Sequence, residues 1–431
     1  MTGPETAREP PHRWLLIASL ALAGESIYML PYLRKSFQTS IEAVFGLSSF
    51  QVGMLNALFG ILALLCYLPG GWLADRVSAR RLLTVSLTAT ALGGAYMASL
   101  PSYPGLLAVH AFWGVSTIVT FWAALIKATR LWSPPNAQGR AFGVLDGGRG
   151  IVGAGLGSLA ALGFGMAGSV ATGLMTVILI YSGACLVASA AVWLLVPDDH
   201  EKVEWRPDGA RGTGRASGGQ DLHVFDAVGR TLRIPEVWLI ALVILCAYFS
   251  FLGTYEFPAY AERGFDQSKE FGAWLGAFRD WFRPLAAIGA GILADRISAA
   301  RTTAGAFALL LIAYLSLFML PPDRASLPLL LAQVVAAALA VFALRGIYFA
   351  LFEEVRIPLH LTGIAVGFVS MVGYTPDIFA PVLAGWLADH WPGASGYRIY
   401  FVILAGAAAV GMVAATALHR RPVASGHDSG H

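Results

Sequence analysis

Gly71-Trp72-Leu73-Ala74-Asp75-Arg76-Val77-Ser78-Ala79 ends one long apolar run, and Gly291-Ile292-Leu293-Ala294-Asp295-Arg296-Ile297-Ser298-Ala299 ends another, 220 residues later. Two further stretches repeat around this pair. Trp122 to Arg130 matches Tyr348 to Arg356, and Tyr28-Met29-Leu30-Pro31 matches Tyr255-Glu256-Phe257-Pro258. Three matches in the same order, at a nearly constant offset, mark a duplicated chain. Two similar bundles arranged around a central site are a transporter architecture.

Outward from these motifs the chain is overwhelmingly apolar. It has 431 residues, 57% hydrophobic and 13% charged, against roughly 25% charged for an ordinary soluble domain. That composition excludes a soluble enzyme, a disordered chain and a secreted disulfide scaffold. The net charge of +3 gives no reason to expect a nucleic-acid partner. Cys66, Cys185 and Cys246 all lie in apolar runs, so they read as core packing. The nine His residues include no metal-spaced set, and no cofactor motif is present. A helix needs about 20 apolar residues to cross a bilayer. Twelve such runs start near Trp14, Phe50, Leu82, Tyr103, Phe142, Ala171, Val237, Phe271, Thr302, Leu327, Leu361 and Ile399.

Lys and Arg set the orientation. With the N-terminus in the cytoplasm, Arg76, Arg80, Arg81, Lys127, Arg130, Arg233, Arg296, Arg301, Arg356 and Arg420 are inside. The smaller set Arg34, Lys35, Arg263, Lys269, Arg324 and Arg398 is outside. Both termini are then cytoplasmic, in an inner or plasma membrane. The polar, Gly-rich stretch between spans six and seven reads as a flexible linker. The expected division is a tail at 1–13, a six-helix bundle at 14–196, a linker at 197–233, a second bundle at 234–419 and a tail at 420–431.

Twelve spans, a central linker and the doubled G-x-L-A-D-R loop resemble the major facilitator superfamily, and the resemblance covers essentially the whole chain. It implies an all-α membrane fold of two pseudo-symmetric six-helix bundles and a monomeric secondary active transporter, not an enzyme. Ser78 and Ser298 stand where that family usually has Gly. Spans three, six, nine and twelve carry no interior charge, as the family's lipid-facing outer helices should not. The resemblance implies a cytoplasmic gate at Asp75, Arg76, Arg130, Asp295, Arg296 and Arg356. Lys127 and Glu353 are either gate residues or solvated helix ends. Tyr32-Leu33-Arg34-Lys35 is similar to the organophosphate:phosphate antiporter branch, but span seven lacks that branch's second Arg at Ser250 to Tyr255. Arg34 and Lys35 are therefore expected to snorkel to lipid head groups.

Charge inside a bilayer is expensive and marks function or a pair. At 1.5 Å per residue, Glu25 lies about 16 Å and Arg149 about 12 Å from the inner surface. From the outer surface Arg283 lies about 18 Å and Arg279 about 12 Å deep. All four are near the middle of a core about 30 Å thick. Arg279 and Arg283 are spaced i,i+4 on one face, with Asp280 expected roughly 100° away. They ask either for an acidic partner in a structural network, Glu25, Asp280 or Asp146, or for a substrate anion, because Arg forks match carboxylate and phosphate. Arg283, Arg279, Arg149, Tyr28 and Tyr255 are the candidate substrate residues. Asp146 and Arg149 read as a structural i,i+3 pair. Glu25, then Asp377 and Glu256, are the candidate proton carriers, while Glu256, Asp377 and Arg345 lie farther from the centre and also suit gates. The glycines from Gly147 to Gly157 suit close helix approach rather than a phosphate cradle, since no strand precedes them. With no ATP-binding motif, an ion gradient or exchange drives transport. The reading is proton-coupled transport of a small organic anion. The alternatives are proton-driven export of an amphipathic drug or metabolite, and a transport-dead membrane receptor.

Overall fold

The computed structural model describes residues 13–74, 76–131, 138–198, 229–355 and 359–420. Asp75, Arg356 and nearly all of the tails and linker lie outside the described residues. The helices follow the order of the expected spans. Span one is α1 (Arg13–Met29) and α2 (Arg34–Phe45); span two is α3 (Ser49–Ala74); span three is α4 (Ala79–Ala98). Span four is α5 (Tyr103–Thr117), a π turn (Ile118–Trp122) and α6 (Ala123–Leu131); spans five and six are α7 (Gln138–Gly165) and α8 (Val170–Leu195). Span seven is α9 (Pro235–Gly253), a 3-10 turn (Thr254–Glu256) and α10 (Phe257–Gly264). Span eight is α11 (Lys269–Asp280) and α12 (Phe282–Arg296), and span nine is α13 (Ala299–Met319). Span ten is α14 (Leu327–Ile347) with two short turns after it; span eleven is α15 (Leu359–Gly373) and α16 (Pro376–His390); span twelve is α17 (Ser395–Arg420).

Among the described residues, nine helical segments are long and apolar enough to cross a membrane. The helices at spans three, five and eight are outside that set, and their sequences say why. α4 opens on Arg80-Arg81, α7 carries Asp146 and Arg149, and α11–α12 carry Arg279, Asp280 and Arg283. Polar groups inside a bilayer are tolerated where they face protein. The apolar side chains that do face outward are large: Leu92 on α4, Val187 and Leu194 on α8, Ile312 and Met319 on α13, and Val413 on α17 are all exposed. These are the helices that lack interior charge, and such a surface is stable only against lipid.

The chain forms two compact units. The first holds residues up to Leu33 and from Ile61 to the linker; the second holds Arg34–Gly60 and everything after the linker. In the first unit α1 packs on α7 and α8, and α4 packs on α8. Its core includes Leu20, Ile27, Leu83, Leu87, Phe121, Leu125 and Val192. Cys185 sits in that core and donates to the Ser26 carbonyl at 3.2 Å. In the second unit α13 packs on α17 and α14, and α12 packs on α14. Helix starts are capped by side chains: Ser298, at one of the two positions where Gly was expected, accepts from Arg301 N at 3.0 Å.

The second unit also holds a third copy of the opening motif. Gly385-Trp386-Leu387-Ala388-Asp389 on α16 repeats Gly71 to Asp75 letter for letter. Its Asp389 caps α3, accepting from Ser49 N at 3.0 Å and Phe50 N at 2.9 Å. Its Gly385 lets that helix end approach, since a Cβ there would run into the Ser49 carbonyl and come within 2.8 Å of Phe50 N. Small residues permit such backbone approach between membrane helices. Gly385→Ala is therefore expected to cost about 1–3 kcal/mol by overpacking. A lowered melting temperature in detergent would show it; unchanged melting would mean that α3 and α16 do not meet this closely.

Candidate functional site

In the first unit the polar centre is built on α1 and α7. Glu25 is buried, and its Oε2 lies 3.5 Å from Arg149 Nε. Arg149 Nε also donates to the Gly24 carbonyl at 3.0 Å, and its Nη1 lies 3.7 Å from Asp146. Arg149 therefore joins two carboxylates, with the deeper one on α1 rather than in its own helix. A Cβ on Gly153 would fall 2.8 Å from Glu25 Oε1, so this glycine makes room for the carboxylate. The π turn in span four presents Trp122 with its ring 5.8 Å from the Arg149 guanidinium. Single π turns inside helices often serve functional positions. Tyr28 is half-buried, edge-on to Phe121 at 6.4 Å.

In the second unit a break in span seven organises the charges. Pro258 has no N–H, so the Thr254 carbonyl four residues earlier loses its helical donor. The 3-10 turn gives that carbonyl the Phe257 N–H in its place, and Arg279 Nη1 adds a second bond at 3.1 Å. The same guanidinium bonds Asp280 Oδ1 at 3.0 Å from Nε and 2.7 Å from Nη2. Asp280 also accepts from Lys35 at 3.0 Å. The expectation that Asp280 faces away from Arg279 is thus corrected. A helical wheel places Cβ atoms, and a long Arg side chain at a helix end reaches its neighbour. Arg279 is 1% exposed and fully engaged by protein. Arg283 is half-buried in the first turn of α12.

The lipid-facing expectation for Arg34 and Lys35 is also corrected. Arg34 is 4% exposed and bonds Glu256 Oε1 at 2.7 Å and Gln38 at 2.9 Å. Glu256 is 0% exposed. The face of Tyr255 collects two of these cations, with Arg279 at 4.9 Å and Arg34 at 6.0 Å. Farther along α2 the pairing continues: Thr39 donates to Glu262, and Arg263 pairs with Glu42. An unbroken run of α2 residues, Arg34 to Ile41, is buried by these partners. Sequence gave no sign of Glu262 or Glu42 as partners.

Arg345 on α14 is different. Its guanidinium stacks on Phe251 at 4.1 Å and lies 5.7 Å from the Tyr248 ring. Among the described residues no carboxylate pairs with it. The phenols of Tyr348, Tyr248, Tyr374 and Tyr255 surround it. Tyr248 in turn donates to Asp377 Oδ2 at 2.8 Å, and the Tyr348 and Tyr374 hydroxyls lie 3.3 Å apart. Asp377 sits in the first turn of α16, and a Cβ on Gly60 would lie 3.0 Å from its Cβ.

Of the expected gate residues, Arg76 lies on its own Trp72 ring at 4.1 Å, and Arg130, Asp295 and Arg296 are exposed. Other residues hold these helix ends. Lys127 donates to the Ala74 and Val77 carbonyls at 2.8 and 3.3 Å, where the negative end of α3 favours a cation. Arg80 and Arg81 bind the buried Asp198 at 3.0 and 3.4 Å. In the second unit Glu354 accepts from Ala300 N at 2.9 Å, capping α13. Sequence analysis named Lys127 and Glu353 but not Asp198 or Glu354.

Curated relatives and solved structures agree with this architecture. The chain is 26% identical over 411 residues to inner membrane protein YqcE of Escherichia coli (strain K12), covering 93% of each. It is 27% identical over 418 residues to inner membrane protein YihN of the same organism, covering 95% of this chain and 96% of that one. It shares its fold with a bacterial homologue of the human lysosomal transporter Spinster, with TM-score 0.73, 18% identity and coverage of 96% and 99% of the two chains. A mutant of the nucleoside transporter NupG gives TM-score 0.71 at 14% identity, covering 95% of this chain and 100% of that one. The Major Facilitator Superfamily description matches residues 14–376. With its two-unit helical fold, its apolar outer helices and its protein-facing charges, the chain belongs to the Major Facilitator Superfamily and is a multi-pass membrane transporter of the secondary kind.

Proposed function

We propose that this transporter carries a small organic anion with a proton, by alternating access, across an inner membrane of the kind its relatives' names give. One observation carries the substrate charge. Arg34 pairs with Glu256, and Arg279 and Lys35 share Asp280, while Arg345 pairs with no carboxylate among the described residues. An uncompensated charge away from water is costly, so a monoanion is the ligand that this site lacks. The anion thus falls to Arg345 rather than to Arg279, which Asp280 and Thr254 already hold. Glu25, beside Arg149, is the proton carrier in this reading. Asp75, Arg76, Arg130, Asp295, Arg296 and Arg356 keep their proposed role at the moving helix ends.

Uptake of labelled organic acids into proteoliposomes under an imposed pH gradient tests this, with an ethidium-like dye as the rival cargo. Arg345→Gln should leave melting in detergent near wild type and weaken the anion by about 30-fold. Arg345→Lys should rescue it only in part, since a point charge cannot replace the fork. Dye transport undiminished in Arg345→Gln would overturn the anion reading. Ligand binding without flux of any solute would make the protein a receptor.

A further inference from the structure

The geometry points to a hydroxylated monocarboxylate as the substrate, with its carboxylate on Arg345 and a hydroxyl donated to Asp377. This rests on the anion reading above and narrows it.

Exposure separates the cage into walls and a face. Tyr248, Tyr255 and Tyr348 are buried, at 7%, 6% and 3% exposure, and form the walls. Arg345, Phe251, Tyr374 and Asp377 are half-buried and form the face a ligand meets. That face carries one cation, one carboxylate, one phenol and one phenyl ring. The Phe251 ring meets the Arg345 guanidinium carbon at 4.1 Å, and no side-chain hydrogen bond of Arg345 is seen among the described residues. The donors of a guanidinium lie in its plane, so the stack leaves them for a carboxylate to bridge in bidentate fashion. A carboxylate accepts about four hydrogen bonds. Tyr248 donates to Asp377 Oδ2 and fixes the group in place. An anionic ligand needs a donor to approach that carboxylate without repulsion, and a hydroxyl supplies one without adding charge. A hydroxyl rather than an ammonium as that donor follows from the anion reading above, in which the ligand is a net monoanion. Tyr374, whose hydroxyl lies 3.3 Å from that of Tyr348, supplies a second hydroxyl partner at less than full hydrogen-bond strength.

The test uses the purified full-length protein in detergent. Ligand-induced melting shifts and calorimetric titration are read with D-gluconate, D-xylonate, hexanoate, D-glucose and L-serine. Gluconate or xylonate should bind about 10- to 100-fold more tightly than hexanoate, the range expected for hydrogen bonds to a charged group. Glucose, without a carboxylate, and serine, a zwitterion, should bind no better than hexanoate. Asp377→Asn should bring the two acid types together while still binding both, and Arg345→Gln should lose both. Asp377→Glu, which keeps the charge and moves it, should restore part of the preference and guards against misfolding of the Asn variant.

Hexanoate binding as tightly as gluconate and xylonate, with both lost in Arg345→Gln, would overturn the hydroxyl inference and leave the anion reading standing. The same holds if Asp377→Asn keeps the wild-type preference. Tightest binding of serine would overturn both and name a zwitterion. Binding of no carboxylate, with dye binding intact, would also overturn both.

Discussion

Glu256→Ala is expected to destabilise the protein by about 3–5 kcal/mol, the cost of breaking a buried ion pair from one side. Glu256 is wholly buried, and Arg34, 2.7 Å away, is 4% exposed. Without the carboxylate, Arg34 keeps the Gln38 amide at 2.9 Å and no full counter-charge. Glu256 Oε2 and Arg34 Nε are buried without a hydrogen bond. A buried pair with unmet hydrogen bonds repays little of its desolvation, and apolar replacement of both partners is often neutral or better. The double variant Arg34→Met, Glu256→Met should therefore melt near wild type, far above Glu256→Ala alone. Melting curves of the two variants in one detergent decide it. A single variant as stable as wild type would show that the pair does not hold α2 against the 3-10 turn. A double variant as unstable as the single one would show that its charge matters for more than packing.

How much of this was legible in the sequence depends on whether a feature is local or relational. The order of helices follows from apolar run length, and the doubled loop motif pointed to the right family. Pro258 was legible too, and with it the loss of the i+4 donor to Thr254, but not the Arg279 side chain that adds a bond there. The identity of a partner depends on which helices meet, and no periodicity encodes that. Arg34 and Lys35 at the end of an apolar run have the pattern of snorkelling residues, yet they find Glu256 and Asp280 more than 220 positions away. Arg345 was visible as an interior charge. Its value lies in having no carboxylate partner among the described residues, which only the packed structure shows. The third motif copy at Gly385 to Asp389 stood in the text in plain letters. It lies in span eleven, away from the loops where the family resemblance directs attention, and in this copy alone the Gly meets a neighbouring helix end, since Gly71 and Gly291 have open space where a Cβ would stand. The Gly permits a helix end to approach, and the Asp four residues later satisfies its N–H groups.

The same contrast between local and relational features frames the largest functional effect. Glu25→Gln is expected to abolish uphill accumulation, bringing the internal-to-external ratio to about one, while exchange of internal for external substrate continues. Membrane carboxylates that pair, face protein and lie deep in the bilayer are the usual carriers of protons in transport. Glu25 meets those conditions: it is buried, lies 3.5 Å from Arg149, and occupies space that Gly153 leaves open. A proton on Glu25 removes the charge that Arg149 faces, and Arg149 then retains the Gly24 carbonyl at 3.0 Å and Asp146 at 3.7 Å. In this reading protonation of Glu25 would be linked to the packing of α1 on α7. Linkage is reciprocal, so whatever shifts α1 against α7 also shifts the proton. Gln mimics the protonated carboxyl and locks that state, which leaves exchange possible and net proton-driven transport impossible. Counterflow and pH-driven uptake measured on the same proteoliposomes separate the two activities. If Glu25→Gln still concentrates substrate against its gradient, the proton travels elsewhere. Asp377, already hydrogen-bonded by Tyr248 beside Arg345, is then the carboxylate to replace next.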